Sequence, residues 1–151
     1  MFAAIRQAIF LLLLASAAAW ATHVWHPRAP ALHLVQEPLR DDEVSMAMIQ
    51  SRWQGRVLWI DARYQEQYDE GHIPGAVLLN EQHFDQQLFG LLDTLQTNTL
   101  PIIVYCSAAK CDASRHILER LKQTLPVEKG FVLKGGWNAW KQSAAARSQA
   151  D

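Results

Sequence analysis

The chain has 151 residues, of which 50% are hydrophobic and 19% are charged, and its formal net charge is -1. This is enough material for one packed domain and too little for two. Lysine and arginine are spread along the sequence, so there is no basic stripe that could bind a phosphate backbone, and we expect no nucleic-acid partner.

The first 25 residues read as an apolar leader. Arg6 precedes a run rich in alanine and leucine that carries no further charge until Arg28. The run fits a secretory signal peptide with a cleavage site at residues 19–21 (Ala-Trp-Ala), and it fits a retained transmembrane helix almost as well. Both alternatives predict a domain outside the cytoplasm. If the helix is retained, the domain is anchored in the membrane and faces the periplasm in a Gram-negative bacterium. If the signal is cleaved, the domain is soluble and is secreted or periplasmic.

Two prolines make residues 26–31 a short, stiff linker. The folded domain is predicted over residues 32–142, followed by a polar, flexible tail over residues 143–151. Within the domain, Leu32 to Val35 form a possible edge strand. Asp41 or Asp42 is predicted to cap a helix that runs through Val44 towards Trp53.

Apolar runs and amphipathic segments then alternate along the chain. The patterns predict strands at residues 56–63, 77–79, 102–105 and 131–133, and helices at 64–70, 82–95, 112–125 and 136–142. Continuous rather than alternating apolar runs are typical of strands buried on both faces. The sequence therefore predicts an α/β fold with a mostly parallel central sheet flanked by helices.

Both cysteines of the chain lie in the loop between a predicted central strand and the helix that follows it. Cys106 is at the carboxyl end of its strand, where open parallel sheets bind their ligands. The backbone N–H groups of a compact loop, together with the positive end of a helix, lower a thiol pKa and hold anions. We therefore predict Cys106 as a nucleophile. Its predicted substrate-binding loop comprises Ser107, Ala108, Ala109, Lys110 and Cys111.

Four segments, taken together, resemble the single-domain rhodanese family of sulfurtransferases. They are residues 58–63 (LWIDAR), 68–77 (YDEGHIPGAV), 104–106 (VYC) and 133–140 (LKGGWNAW), in the family's order. The resemblance implies a three-layer α/β fold and a catalytic cysteine, matched by Cys106. That cysteine would take sulfane sulfur from thiosulfate or a persulfide and pass it to a thiophilic acceptor. The partners would be a small sulfur donor and a thiol acceptor, and we expect no cofactor.

The loop departs from the family pattern at Ala109, where relatives often have Gly, and at Cys111, where many have Arg. Loss of the Arg removes a donor fork for an anion such as thiosulfate, so the sulfur donor stays open. Cys111 is either a resolving thiol that attacks a persulfide on Cys106 or a small buried residue. Two further alternatives are a dithiol redox protein that uses both cysteines and a non-catalytic binding module. With His116 as the one nearby histidine, we expect no metal site.

Other residues are expected to support the site. Asp61 and Arg63 follow a strand and are predicted to hold neighbouring loops by polar contacts, or, for Arg63, to line the pocket. His72 is predicted to make structural hydrogen bonds rather than to act as a base, because a low-pKa thiolate needs no strong base. Ser107 and Ser114 are each positioned in the sequence to donate a hydrogen bond near the sulfur.

Overall fold

The computed structural model describes residues 2–25, 38–107 and 112–148. The chain divides into two compact units, Met1–Pro38 and Leu39–Asp151. In the first unit, helix α1 (Phe2–Trp25) contains a window, Ile5–Thr22, of mean hydropathy 1.5 and with none of its residues buried. This helix is long and apolar enough to cross a membrane. The predicted linker and the edge strand predicted from Leu32 to Val35 lie outside the described residues.

The second unit is an α/β domain built on a five-stranded sheet in which every pairing is parallel. The strands are β1 (Glu43–Val44), β2 (Leu58–Asp61), β3 (Val77–Leu78), β4 (Ile102–Tyr105) and β5 (Gly130–Leu133), in the spatial order β1-β5-β4-β2-β3. The helices are α2 (Met46–Trp53), α3 (Gln65–Glu70), α4 (Phe84–Thr97), α5 (Ala113–Thr124) and α6 (Gly136–Ser148). The predicted α/β class with a parallel sheet is confirmed.

The middle strand, β4, is buried on both faces of the sheet. Ile102 and Val104 pack in a cluster with apolar side chains of α4 and α5. Ile103 and Tyr105 belong to a second cluster, which includes side chains of α2 and α6. Because successive side chains of a strand point to opposite faces, a strand between two apolar layers needs an unbroken apolar run. The unbroken apolar sequence of residues 102–105 therefore follows from the position of β4 between the two apolar clusters.

The start of the domain differs from the prediction. Val44 does not lie in a helix capped by Asp41 or Asp42; it belongs to β1, is 1% exposed and pairs with β5. Helix α2 begins after Ser45, whose side chain accepts a hydrogen bond of 3.2 Å from the backbone N–H of Met48. The capping prediction was wrong because pairing with a distant strand overrides a local capping signal.

The last helix is also longer than predicted from its apolar positions. It runs to Ser148, past residue 142, where the apolar pattern predicts its end. The three alanines at residues 144–146 explain the extension, because alanine has the highest intrinsic helix propensity and needs no buried partner.

Candidate active site

Cys106 directly follows β4, at the carboxyl end of the sheet. Its side chain is buried, with 3% of the residue exposed. Its backbone carbonyl accepts a hydrogen bond of 2.7 Å from the N–H of Trp137, in the first turn of α6. The carbonyl of Tyr105 accepts one of 2.8 Å from Ala62, just after β2. The backbone around Cys106 is thus fixed to the segments on both of its sides.

A serine hydroxyl contacts the sulfur. Ser114 lies in the first turn of α5, is 1% exposed, and has its Oγ 3.6 Å from the Sγ of Cys106, to which it donates. The structure records Cys106 as disulfide-bonded, so its free thiol form requires reduction. Residues 108–111, which include the predicted Ala108, Ala109, Lys110 and Cys111, lie outside the described residues. The anion-binding role of this loop therefore stays a prediction.

A cavity of about 140 Å³ opens beside Cys106. Its walls come from the segments that follow β2 and β3, from α3 and from the start of α5, and comprise Ala62, Arg63, Tyr64, Gln67, Asn80, Glu81, Cys106, Ser107 and Ala113. The Nε2 of Gln67 donates to the hydroxyl of Ser107 across 3.3 Å. A larger cavity of about 390 Å³ includes Ile102, the first residue of β4, and so lies at the amino end of that strand. Within the described chain, no cysteine lines it. We therefore place the candidate substrate cavity at the carboxyl end of the sheet.

Asp61 and Arg63 form a buried ion pair next to this cavity. The Nη2 of Arg63 lies 2.6 Å from Oδ2 of Asp61, and its Nε lies 2.9 Å from Oδ1. The same Nη2 donates to the carbonyl of Gly71 at 2.7 Å, which fastens the end of α3. Tyr105 donates its hydroxyl to Oδ2 of Asp61 at 2.7 Å. Asp61 and Arg63 thus make the contacts between loops that the sequence predicts, and Arg63 also lines the cavity.

The protonation of this network follows from its burial. Burial raises the pKa of Tyr105 well above its ordinary value, and the hydrogen bond to Asp61 raises it further. Burial lowers the pKa of Arg63, but the hydrogen bond and negative charge of Asp61 outweigh burial, so the net shift is upward. The phenol therefore keeps its proton, and the guanidinium keeps its charge beside a compensating carboxylate.

His72 lies in a structural cluster outside the cavity. Its Nδ1 is 2.9 Å from the carbonyl of Tyr68, and the two rings stack with centroids 3.8 Å apart. The hydroxyl of Tyr68 in turn donates to the carbonyl of Ala76 at 2.7 Å. His72 is absent from the described residues that line the cavity. This geometry suits the predicted structural role rather than that of a base.

One supporting feature was not predicted from the sequence. Arg115, in the first turn of α5, contacts Asp42 at 3.0 Å and the buried Glu43 at 3.1 Å, and Lys134 contacts Glu43 at 3.3 Å. The hydrogen bond that Arg115 donates to Asp42 raises the pKa of Arg115. These ion pairs hold the start of α5, including Ser114, against β1. Because the partners are more than 70 residues apart in the chain, no local pattern indicates them.

Asn80 is a second feature that the sequence analysis missed. It is 1% exposed, and its Oδ1 accepts a hydrogen bond of 3.1 Å from the backbone N–H of His83. Its own N–H donates to Oε1 of Gln87 at 2.8 Å. Within the described part of the chain, its Nδ2 has no hydrogen-bond partner. A buried donor without an acceptor costs about 1–3 kcal/mol, so this amide needs an explanation.

No group of three or more His, Cys, Asp or Glu that could hold a metal ion occurs among the described residues.

The family model of the rhodanese-like domain matches residues 45–143. The chain belongs to the rhodanese-like family. The match covers the whole sheet except β1.

Solved structures show the same fold. The rhodanese-like domain from Anabaena sp. is 23% identical with a TM-score of 0.51, and the match covers 68% of this chain and 75% of that one. A thiosulfate sulfurtransferase from Pseudomonas aeruginosa is 22% identical with a TM-score of 0.53, over 70% of this chain and 19% of that one. Among curated proteins, none matches this sequence.

Proposed function

We propose that this rhodanese-like protein is a sulfurtransferase in which Cys106 carries sulfane sulfur as a persulfide. The observation that carries the proposal is the position of Cys106, at the carboxyl end of β4 and in the wall of a cavity of about 140 Å³. The Ser114 hydroxyl on its sulfur supports the proposal, because a hydrogen bond to a thiolate favours the reactive form. One structure of similar fold is a thiosulfate sulfurtransferase.

In the proposed first step, the Cys106 thiolate attacks the sulfane sulfur of thiosulfate or of a persulfide. The sulfur–sulfur bond of the donor breaks, and sulfite or a thiolate leaves with the electron pair. In the second step, the acceptor thiolate attacks the outer sulfur of the Cys106 persulfide and regenerates the Cys106 thiolate. Arg63 does not act as a free cation for the donor, since Asp61 neutralises it; an anionic donor would bind to the predicted loop of residues 107–111 and to Lys110.

The reduced full-length protein in detergent tests this proposal. We expect its intact mass to increase by one sulfur atom after incubation with thiosulfate or with polysulfide. A Cys106→Ser variant should gain nothing, and a Cys111→Ser variant should still gain one sulfur. If neither donor adds sulfur to the reduced protein, the transferase proposal is wrong and a non-catalytic binding module remains.

A second candidate function is a dithiol redox protein, favoured by the disulfide-bonded state of Cys106. Cys111, the other cysteine of the chain, would attack the Sγ of a Cys106 persulfide, release hydrosulfide and leave a disulfide. Replacing Cys111 with Ser distinguishes the two functions. If the redox cycle operates, the Cys111→Ser variant should no longer release hydrosulfide in the absence of an external thiol. If the protein is a simple sulfurtransferase, the same variant should still transfer sulfur to an added thiol.

We also propose that α1 takes the domain out of the cytoplasm, as a retained anchor or as a cleaved signal peptide. Its exposed apolar window, Ile5–Thr22, supports both alternatives. N-terminal sequencing of the protein from cell fractions separates them. A start at Met1 in carbonate-washed membranes would support the anchor, and a start at Thr22 would support cleavage. A protein that starts at Met1 in the cytosolic fraction would contradict both.

A further inference from the structure

We propose that Glu43 is a positioning residue for the nucleophile, because its buried carboxylate connects the segment that carries Ser114 to the segment that holds the backbone of Cys106. The inference rests on the proposed function, in which the Cys106 thiolate reacts. It goes beyond that function by naming a residue, distant in the chain, that sets the reactivity of the thiolate. Glu43 lies in β1, before residues 45–143, so the family match does not include it.

The first connection runs from Glu43 to the start of α5. Oε1 of Glu43 accepts a hydrogen bond of 3.1 Å from Nη2 of Arg115, and Oδ2 of Asp42 accepts one of 3.0 Å from Nε of the same side chain. Arg115 directly follows Ser114, whose hydroxyl donates to the sulfur of Cys106. The place of that hydroxyl therefore depends on where the guanidinium of Arg115 is held.

The second connection runs from Glu43 to the turn between β5 and α6. Oε2 of Glu43 lies 3.3 Å from Nζ of Lys134, the first residue after β5. The backbone N–H of Lys134 donates to the carbonyl of Val44 at 2.9 Å, which fastens the same turn to β1. Just beyond this turn, the N–H of Trp137 donates to the carbonyl of Cys106 at 2.7 Å. One carboxylate thus links the segment that contacts the sulfur to the segment that holds the backbone of Cys106.

Burial makes this link stiff. The side chain of Glu43 is 6% exposed, and those of Arg115 and Lys134 are 20% and 24% exposed. A buried carboxylate needs close partners for its charge, so moving either segment away would leave that charge poorly compensated. The ion pair of Arg120 with Asp85 also reaches α5, but the Asp85 side chain is 90% exposed. Exposed pairs contribute little, so this pair serves as the matched comparison.

The charge of Glu43 and its positioning role act on the thiolate in opposite directions. Loss of a carboxylate by itself favours the thiolate, because a negative charge repels the negative sulfur. Loss of the link lets Ser114 move away from the sulfur and weakens a hydrogen bond that favours the thiolate. A Glu43→Gln variant, which keeps the side-chain volume, therefore separates the two effects by the direction of the change.

The experiment measures the alkylation of Cys106 by iodoacetamide across a range of pH, in the reduced full-length protein in detergent. All proteins carry Cys111→Ser, so that Cys106 is the one thiol of the chain. We expect Glu43→Gln to slow alkylation about threefold below the pH midpoint and to raise that midpoint by about half a pH unit. The control variant Asp85→Asn should change neither. An unchanged or lower midpoint in Glu43→Gln would overturn the inference.

A second background shows whether Glu43 acts through Ser114. In a Ser114→Ala protein, Glu43→Gln should shift the midpoint by less than half as much, because the hydrogen bond that it positions is already absent. A shift of at least half the original size would mean that Glu43 acts by another route, and it would overturn the inference.

The variant Asp42→Asn decides the question should Glu43→Gln fail to fold. The Asp42 side chain is 31% exposed, so its loss weakens the hold on Arg115 with less harm to the core. We expect alkylation to slow about twofold and the midpoint to rise; no change would overturn the inference. Sulfur uptake from thiosulfate or polysulfide is measured separately from alkylation. Failure of the wild-type protein in that assay would refute the proposed function itself, which is a distinguishable result.

Discussion

Replacing Asp61 with Asn tests the buried ion pair that fixes the floor of the site. Asp61 is 0% exposed, and four groups donate to its carboxylate: the N–H, Nε and Nη2 of Arg63 and the hydroxyl of Tyr105. The substitution keeps the volume but leaves the Arg63 guanidinium, in a side chain 4% exposed, without its counter-charge. Breaking a buried pair in this way costs about 3–5 kcal/mol, which is a large part of the stability of a small domain.

Urea unfolding of the full-length protein in detergent, followed by tryptophan fluorescence, measures this loss. With an ordinary dependence on urea, the midpoint should fall by about 2 M. The matched control is Asp85→Asn, which removes the exposed partner of Arg120 and should cost about 0–1 kcal/mol. A loss below 1 kcal/mol for Asp61→Asn, equal to that of the control, would refute the reasoning, because it would mean that Arg63 is not desolvated in the folded domain.

Two further predictions concern protonation and the sulfur. Burial raises the pKa of Tyr105 and of Tyr68, so the folded domain keeps phenol protons that the unfolded chain loses at high pH. The free energy of unfolding should therefore fall between about pH 9 and pH 11. The Tyr105→Phe variant should show a smaller fall over the same range. A steeper decline in the variant would contradict this sign. Replacing Ser114 with Ala removes the hydrogen bond to Cys106, so alkylation of the reduced thiol by iodoacetamide at neutral pH should slow about fivefold, and the pH midpoint of alkylation should move upward. An unchanged pH profile would show that the serine does not act on the thiolate.

The central part of the fold could be predicted because its signals are local. The apolar run at residues 102–105 coincides with β4, and the helix predicted after the cysteine loop is observed as α5. The first strand could not be predicted in this way. Glu43–Val44 contains two residues, and it forms because β5 offers it a pairing edge. A strand this short has no periodicity of its own, so the neighbouring aspartates were interpreted as a helix cap.

For the candidate site, the sequence by itself identified Cys106 as the predicted nucleophile. An apolar strand followed by a cysteine and a helix specifies the position of Cys106, because each of these signals lies within a few residues. Only the tertiary structure decided what surrounds the sulfur. The contact with Ser114, the closed pair of Asp61 and Arg63, and the burial of the Asn80 amide depend on how three strand ends meet. Hydrogen bonds between groups that are far apart in the chain leave no spacing by which a sequence can indicate them.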